Sequence, residues 1–398
     1  MGRTQPSLGL PPASQRKEAR TKLARATINR TIPALLVSYP RARRGVEGAE
    51  LIVDPPAVSR KSAQAGDSGK GDREGNKDGV KDANGGTKIR IACGDTLTVA
   101  LSFSHSPPTN PRKTPTKNVA ILNMASPLSP GGGVLAGASA QEEQLCLRTT
   151  LLPSLKDQFY RLPDVGAVWT SDVLVFRDEG GRDMNRREVG WVDVVSAGAL
   201  RFPDLEEGDG PGDGEVRTEM RYTNPADRET VHAKMRAVLR ILSTRGSKQI
   251  VLGAWGCGAY RNPVPEVARA WRKVLCGEPR RRGKGREDWG FEEVVFAIGG
   301  WRMAGEFARV WGRGLEVEDM RGKKRRGTEE GEGDEIGGNV EVRELEGKIA
   351  EMEERVRNVR ISRLKGGLEK VLEGMKRQLE DARARDSVYD EDEEDDDD

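Results

Sequence analysis

The hydrophobic pattern of the chain switches between two periods, and this alternation predicts strands separated by helices. Short apolar runs without a helical period predict buried strands, and longer stretches with apolar residues every three or four positions predict helices. The predicted strands are 88–95, 118–125, 167–178, 191–200, 249–256 and 291–300, and the predicted helices are 96–103, 140–155, 225–246, 263–277 and 302–312. This order predicts an α/β fold, a three-layer sandwich with a mixed sheet and helices on both faces.

The remaining chain carries little apolar pattern, and 48 glycines, 21 prolines and 33% charged residues show that much of it is not core. At 342–359 apolar residues spaced three and four apart predict a coiled coil, although a charged helix of marginal stability fits the same pattern. We divide the chain into an N-terminal region with an accessory helix (1–55), a disordered insertion (56–87), the main domain (88–312), a basic, glycine-rich linker (313–339), a coiled coil or helical hairpin (340–384) and an acidic, disordered tail (385–398).

The composition predicts the cellular compartment of the protein. No apolar run reaches the length of a membrane helix, and no signal-peptide core is visible, so we expect a soluble, intracellular protein of the cytoplasm or nucleus with no membrane contact. The four cysteines show neither metal-ligand spacing nor a disulfide framework, and no His, Cys or Asp cluster predicts a metal site. Residues 16–44 are rich in arginine and have Glu18 as their only acid, which fits a mitochondrial presequence or a docked helix.

Two glycine-rich loops follow predicted strands, and both are candidates for binding an anion. The first, SPGGGVLAGASA, precedes Gln141, Glu142 and Glu143 at a predicted helix start, and the second is GAWGCGAYRN. Glycine backbone allows successive N–H groups to converge on a phosphate, and the helix terminus adds positive potential. The two glutamates suit glycosidic chemistry, in which one carboxyl protonates the leaving oxygen. The alternative to a catalytic site is an ordinary glycine-rich loop followed by a helix whose first turn is charged.

The stretch LNMASPLSPGGGVLAGASAQEEQLCLRTTLLPSL resembles the signature of the microbial-type poly(ADP-ribose) glycohydrolases, with a GGG triplet before QEE. The similarity continues through VWTSDVLVFRDE, VDVVSAGA, VLGAWGCGAYRNPVPEVARAW and VVFAIGG. The resemblance implies a macrodomain-like fold that binds ADP-ribose. It also implies that the enzyme hydrolyses the ribose–ribose bonds of poly(ADP-ribose) without cofactor or metal, and that ADP-ribosylated proteins are its partners. The alternative is a non-catalytic ADP-ribose reader with a coiled-coil interaction tail that binds a further partner.

The resemblance also implies the site residues. Glu143 falls on the catalytic acid, and Glu142 on the glutamate that holds the ribose hydroxyls. The implied substrate-binding residues are Gln141 of the same motif, Gly131, Gly132 and Gly133 of the first loop, Gly256, Cys257 and Gly258 of the second loop, and Tyr260, where the family usually has phenylalanine. For Asn123, at the end of a predicted strand, a substrate contact and a cap on the turn both fit. The segment SAGALRFPD (196–204) also departs from the family pattern, because related sequences tend to carry a Pro-Asn element there.

Overall fold

The computed structural model describes residues 13–58, 80–81, 86–104, 117–210, 217–277, 287–312, 315–320, 372–373 and 376. Contacts between residues divide the chain into two units. Residues 18–324 form the larger unit, which contains every feature analysed below. Residues 1–17 and 325–398 form the other unit, in which the described residues are the beginning of the first helix and residues 372, 373 and 376.

The elements follow the predicted order of alternating strands and helices in most of the larger unit. The helices are α1 (Ala13–Ala26), α2 (Ile32–Ser38), α3 (Pro40–Glu47), α4 (Thr96–Ser104), α5 (Gln141–Arg148), α6 (Pro225–Thr244), α7 (Val264–Cys276) and α8 (Trp301–Trp311). The strands are β1 (Glu50–Val53), β2 (Val80–Lys81), β3 (Lys88–Cys93), β4 (Val119–Ala125), β5 (Gly166–Val175), β6 (Gly190–Gly198), β7 (Leu205–Gly210), β8 (Arg217–Tyr222), β9 (Gln249–Leu252), β10 (Glu293–Ile298) and β11 (Val317–Asp319).

The main sheet is mixed, as predicted. Its strand order is β1-β5-β6-β4-β9-β10-β3-β11, and β2 pairs with the beginning of β3. The neighbours from β6 to β11 are parallel, whereas β1, β5 and β6 pair antiparallel. The parallel strands therefore end at the same edge of the sheet, which is where ligands bind in open α/β sheets.

Helices cover both faces of the sheet, so the predicted three-layer architecture is confirmed. Successive residues of one strand belong to different cores, because side chains of a strand alternate between the two faces. In β4, Ala120 and Leu122 pack with α6, α7 and α8, whereas Val119 and Ile121 pack with α4 and α5. Parallel strands buried on both sides read as continuous apolar runs, which explains why the sequence shows these strands clearly.

Several elements differ from the sequence predictions. The helix expected over 140–155 ends at Arg148, because Thr149 turns to extended backbone, bridges to Val175 and hydrogen bonds through its hydroxyl to the Leu145 carbonyl at 2.8 Å. The main sheet also extends beyond 88–312, since β1 and β11 are strands of it. The β7–β8 hairpin was not predicted, because its strands are polar and rich in glycine and acids.

The N-terminal segment packs on the domain as the docked-helix interpretation requires. Ala24 of α1 is fully buried with Val134 and Cys146, and Ile32 packs with Leu174. The presequence interpretation of residues 16–44 stays a prediction.

Parts of the predicted organisation lie outside the described residues. Of the insertion predicted over 56–87, Val80–Lys81 form β2, and residues 59–79 and 82–85 are outside. The linker after residue 320, the acidic tail and the coiled coil, apart from residues 372, 373 and 376, are outside as well. Within the described ranges, no helix is both long and apolar enough to cross a membrane.

Candidate active site

A cleft of about 640 Å³ lies at the carboxyl ends of β3, β4, β9 and β10. Residues of the segment from Ser126 to Glu143 and of the segment from Ala254 to Tyr260 both line it. The cleft is lined by Gly94, Asp95, Thr96, Met124, Ser126, Leu128, Ser129, Gly132, Gly133, Ser139, Ala140, Gln141, Glu142, Glu143, Gln144, Ala199, Ala254, Trp255, Gly256, Gly258, Ala259, Tyr260, Ala297, Ile298, Gly299 and Met303. The two glycine loops singled out by sequence therefore line the same cavity.

Glu142 and Glu143 occupy the first turn of α5 and are held by backbone N–H groups of the segment that joins β4 to α5, which includes the first loop. The Ser126 N–H donates to Oε2 of Glu142 at 2.7 Å, and the Gly133 N–H donates to Oε1 of Glu143 at 2.8 Å. The two residues are only 3% and 6% exposed. The other oxygen of each carboxylate, Oε1 of Glu142 and Oε2 of Glu143, is buried without a partner. Each glutamate thus has one oxygen fixed by the loop and one oxygen left for another ligand.

Gly132 separates the two fixed oxygens, and only glycine fits there. Its φ of 55° lies in the left-handed region. A Cβ on this residue would lie 2.7 Å from Oε1 of Glu143 and 2.8 Å from Oε2 of Glu142. The missing side chain therefore lets the loop backbone close over both carboxylates, which is the physical reason for glycine beside paired acids.

Gln141 connects α5 to the sheet. Its amide oxygen accepts from the Met124 N–H at 2.8 Å, and its amide nitrogen donates to the Leu122 carbonyl at 2.7 Å. Both polar ends of the side chain are thus bonded to the end of β4. The residue lines the cleft, but these contacts make it a positioning residue for α5, and its predicted contact with substrate stays a prediction.

Burial changes the proton affinity of Glu142. It raises the pKa of this carboxyl from 4.5 to about 7, and the nearby charge of Glu143 acts in the same direction. The Ser126 N–H opposes the rise because it stabilises the ionised form. Glu142 therefore binds a proton near neutral pH, which is unusual for a glutamate and useful in acid–base chemistry.

The second glycine loop presents backbone donors to the cleft. No described residue accepts a hydrogen bond from the backbone N–H of Gly258, Ala259 or Tyr260, although all three residues line the cavity. Gly256, with a φ of 81°, allows the chain to turn there. Successive free N–H groups of this kind form a concave site for an anion.

Asn262 holds the second loop in shape, and sequence reasoning missed it. Its buried amide nitrogen donates to the carbonyls of Leu200 at 2.8 Å and Gly256 at 3.2 Å. Its amide oxygen accepts from the Tyr222 hydroxyl at 2.8 Å. The residue therefore ties the second loop to the end of β6 and to the β7–β8 hairpin. Its place as the last residue of the second glycine loop was the one available signal.

Three of the predicted site residues do not line the cleft. Asn123 is fully buried and donates from its amide nitrogen to the Ser196 hydroxyl at 3.1 Å. Gly131 packs under the loop, where a Cβ would lie 2.6 Å from Leu152. Cys257 packs against the core formed with α6, α7 and α8, and burial raises the pKa of its thiol. The structure favours a structural role for Cys257. Asn123 and the Gly131 backbone lie next to Glu142 and lower the pKa of its carboxyl by hydrogen bonding, so the predicted role of Asn123 in the site stays a prediction.

Tyr260 lines the cleft and belongs to an aromatic and cationic group at its rim. Its ring lies 5.9 Å from the ring of Phe202 in an edge-on arrangement, and the Arg201 guanidinium lies 5.5 Å from the Tyr260 ring centre. Burial, and after it the charges of Glu142 and Glu143, raise the pKa of its hydroxyl, although Ser126 and Arg201 act in the opposite direction. The hydroxyl is therefore protonated at neutral pH.

Other lining residues were not anticipated from the sequence. Ser126 supplies the N–H that fixes Glu142, and Gly299 and Met303 bring the amino terminus of α8 to the cleft. Trp255 is buried, with its ring centre 6.0 Å from that of Trp271, and it also lines the cavity. Within the described ranges, no three metal-ligating side chains cluster together.

Comparison with known proteins supports the resemblance seen in the sequence. The model of the microbial-type PARG catalytic domain matches residues 61–178, which include the first glycine loop and both glutamates. The resemblance predicted from the sequence is thus confirmed, as is the predicted enzyme class, a glycosidase that acts on poly(ADP-ribose). No curated protein sequence matches the chain.

Solved structures agree in fold. The poly(ADP-ribose) glycohydrolase (PARG) of Thermomonospora curvata has 24% identity and a TM-score of 0.51, with 74% of this chain and 99% of that chain covered. A mutant of the same Thermomonospora enzyme has 23% identity and a TM-score of 0.50 over 74% and 99% of the two chains. The Deinococcus radiodurans PARG in complex with ADP-ribose has 26% identity and a TM-score of 0.42 over 56% and 84%. The Thermomonospora likeness supports the macrodomain-like fold.

Proposed function

We propose that this protein hydrolyses the ribose–ribose bonds of poly(ADP-ribose) and releases ADP-ribose, with Glu143 as the general acid. The observation that carries the proposal is the pair of buried glutamates, each with one oxygen fixed by the glycine loop and one unbonded oxygen. A glycosidase requires a carboxyl that gives a proton to the leaving oxygen, and a site that stabilises the positive charge on the sugar ring.

The two glutamates have separate roles in this mechanism. Glu143 protonates the oxygen of the leaving ribose as its bond to the anomeric carbon breaks, and the resulting carboxylate takes a proton from the water that attacks that carbon. Glu142 accepts hydrogen bonds from the ribose hydroxyls. Burial raises the pKa of the Glu142 carboxyl to about 7, so Glu142 can hold a proton near neutral pH beside the ribose hydroxyls that it binds.

The rest of the cleft suits the diphosphate and the nucleoside of ADP-ribose. The free N–H groups of Gly258, Ala259 and Tyr260 supply donors for a diphosphate, and the amino terminus of α8 adds positive potential. Apolar side chains, including Met124, Ile298 and Met303, form the part of the cavity that fits a base. The Deinococcus radiodurans enzyme was solved in complex with ADP-ribose, and we propose that this protein binds the same ligand.

The test is the release of ADP-ribose from purified poly(ADP-ribose) by the wild type, Glu143→Gln and Glu142→Gln, with ADP-ribose binding measured by calorimetry. We expect Glu143→Gln to bind ADP-ribose and to lose turnover by a factor of at least about 100, because it cannot donate a proton. Glu142→Gln still offers an amide oxygen to the ribose, so it should retain more activity than Glu143→Gln. The reverse ranking would assign the acid to Glu142.

An ADP-ribose reader without turnover is the second candidate function. The departures at Tyr260 and at the end of β6 favour it, since Tyr260 and Ala199 both line the cleft. Binding of ADP-ribose by the wild type without hydrolysis would establish the reader. ADP-ribosylated proteins as partners, a coiled-coil partner and a location in the cytoplasm, nucleus or mitochondrion stay predictions from the sequence.

A further inference from the structure

The rim of the cleft contains strained backbone on both sides of Tyr260. Among the described residues, four that are not glycine have positive φ, and two of these are Phe202, at 47°, and Arg261, at 57°. A bulky side chain rarely adopts this conformation, and such outliers concentrate at ligand sites. The strained backbone is held in place, because the Phe202 N–H donates to the Tyr260 carbonyl at 3.1 Å and the Arg261 N–H donates to the Gly258 carbonyl at 3.0 Å.

The strain at Phe202 presents its ring to solvent instead of burying it. The residue is 55% exposed, and it follows Ala199 and Leu200 at the end of β6, where the chain reaches the cleft. Its edge contact with Tyr260 leaves much of the ring free. An exposed aromatic ring gains little from the core, but it is suited to stacking on a nucleobase.

A cationic side chain accompanies this ring. The Arg201 guanidinium lies 5.4 Å from the Phe202 ring centre and 5.5 Å from that of Tyr260. No carboxylate of the described residues lies within ion-pair distance of Arg201 or of Arg261. The aromatic rings thus orient a guanidinium whose hydrogen-bond donors remain available for an anion such as a phosphate.

We propose that Arg201 and Phe202 form a subsite for the leaving unit of the polymer. This inference rests on the proposed function. The ribose–ribose bond joins the unit in the cleft to the adenosine of the next unit, so the leaving group carries an adenine and a diphosphate. Phe202 stacks on that adenine, and Arg201 binds that diphosphate. The subsite lies beside Tyr260, which lines the cleft.

Three synthetic substrates with the same scissile bond separate the two contacts. Each carries an ADP-ribosyl group linked to the 2′-oxygen of the leaving group, which is ADP-ribose, adenosine, or ribose alone. The measurement is kcat/KM for each substrate with the wild type, Phe202→Leu and Arg201→Gln. Ratios between substrates are taken within one variant, so that a general loss of folded protein cancels.

We expect Phe202→Leu to reduce the preference for adenosine over ribose about tenfold, because a base stacked on an aromatic ring contributes an effect of this size. Phe202→Tyr, which keeps the ring, should restore the preference. Arg201→Gln should reduce the preference for ADP-ribose over adenosine about fivefold at low salt, and less at high salt, because salt screens exposed charges.

Arg187→Gln is the matched control for charge. Arg187 is exposed and precedes β6, at the opposite end of that strand from Ala199, so its removal should leave both ratios as in the wild type. If Phe202→Leu and Arg201→Gln keep the wild-type ratios within twofold while all three substrates are cleaved, the subsite is refuted and the hydrolase stands. If the wild type cleaves none of the substrates, the proposed function and the subsite fall together.

Discussion

The raised pKa of Glu142 predicts that the free energy of unfolding is lower at alkaline pH than at acidic pH. A carboxyl with a pKa of 4.5 in the unfolded chain and about 7 in the folded chain keeps its proton longer when folded. The folded state therefore binds the additional proton between these values, and the free energy of unfolding falls as the pH rises through them. The whole change amounts to about 3 kcal/mol, and about 2.5 kcal/mol of it lies between about pH 5 and about pH 8.

Glu142→Gln removes this titration and keeps the shape of the side chain. We expect the free energy of unfolding of the wild type to fall by about 2.5 kcal/mol relative to that of the variant between about pH 5 and about pH 8. The sign follows because the contribution of Glu142 is fully present below the unfolded pKa and is lost as the pH rises through the folded pKa. The prediction concerns the protein without substrate, so it does not depend on the proposed reaction.

The assay is urea unfolding of both proteins at the two pH values, with stability taken from the midpoint and slope. Glu207→Gln, at an exposed carboxylate on β7, removes the same charge without removing a buried group and is the matched control. Equal pH dependence of the wild type and Glu142→Gln, within about 1 kcal/mol, would refute the reasoning, because it would show that burial does not shift this carboxyl.

Three further predictions test the loops and the ligand. Gly132→Ala should lower the free energy of unfolding by about 1–2 kcal/mol and abolish most turnover, because the new Cβ would clash with both carboxylates at a residue with positive φ. Gly258→Ala is the control and should keep wild-type stability, because its Cβ would meet open space. Equal losses of stability in the two variants would contradict the argument. Tyr222→Phe should cost about 1–3 kcal/mol in chemical unfolding because it leaves the Asn262 amide oxygen unpaired, whereas the same change at the partly exposed Tyr39 should cost less. ADP-ribose at about 100 times its dissociation constant should stabilise the wild type by about 2.7 kcal/mol in thermal unfolding, and no shift in melting temperature would argue against this ligand.

The fold was largely predictable because its central strands are buried on both faces. Continuous apolar runs at 118–125 and 249–252 can be recognised without knowledge of their neighbours, since each residue faces one core or the other. The β7–β8 hairpin was missed because its polar strands gain their stability from pairing and from buried contacts such as that of Glu219 with Arg269 and Arg309. Local sequence cannot indicate such long-range partners.

The sequence by itself predicted which residues form the candidate site, through the glycine triplet and the adjacent Glu142 and Glu143. Only the tertiary structure decided the surroundings of these residues. The proton affinity of Glu142 depends on burial, and the rim contacts of Arg201 and Phe202 depend on the approach of β6 to the second loop. Burial and proximity are properties of chain segments brought together from distant positions, so they arise only when the sheet has formed.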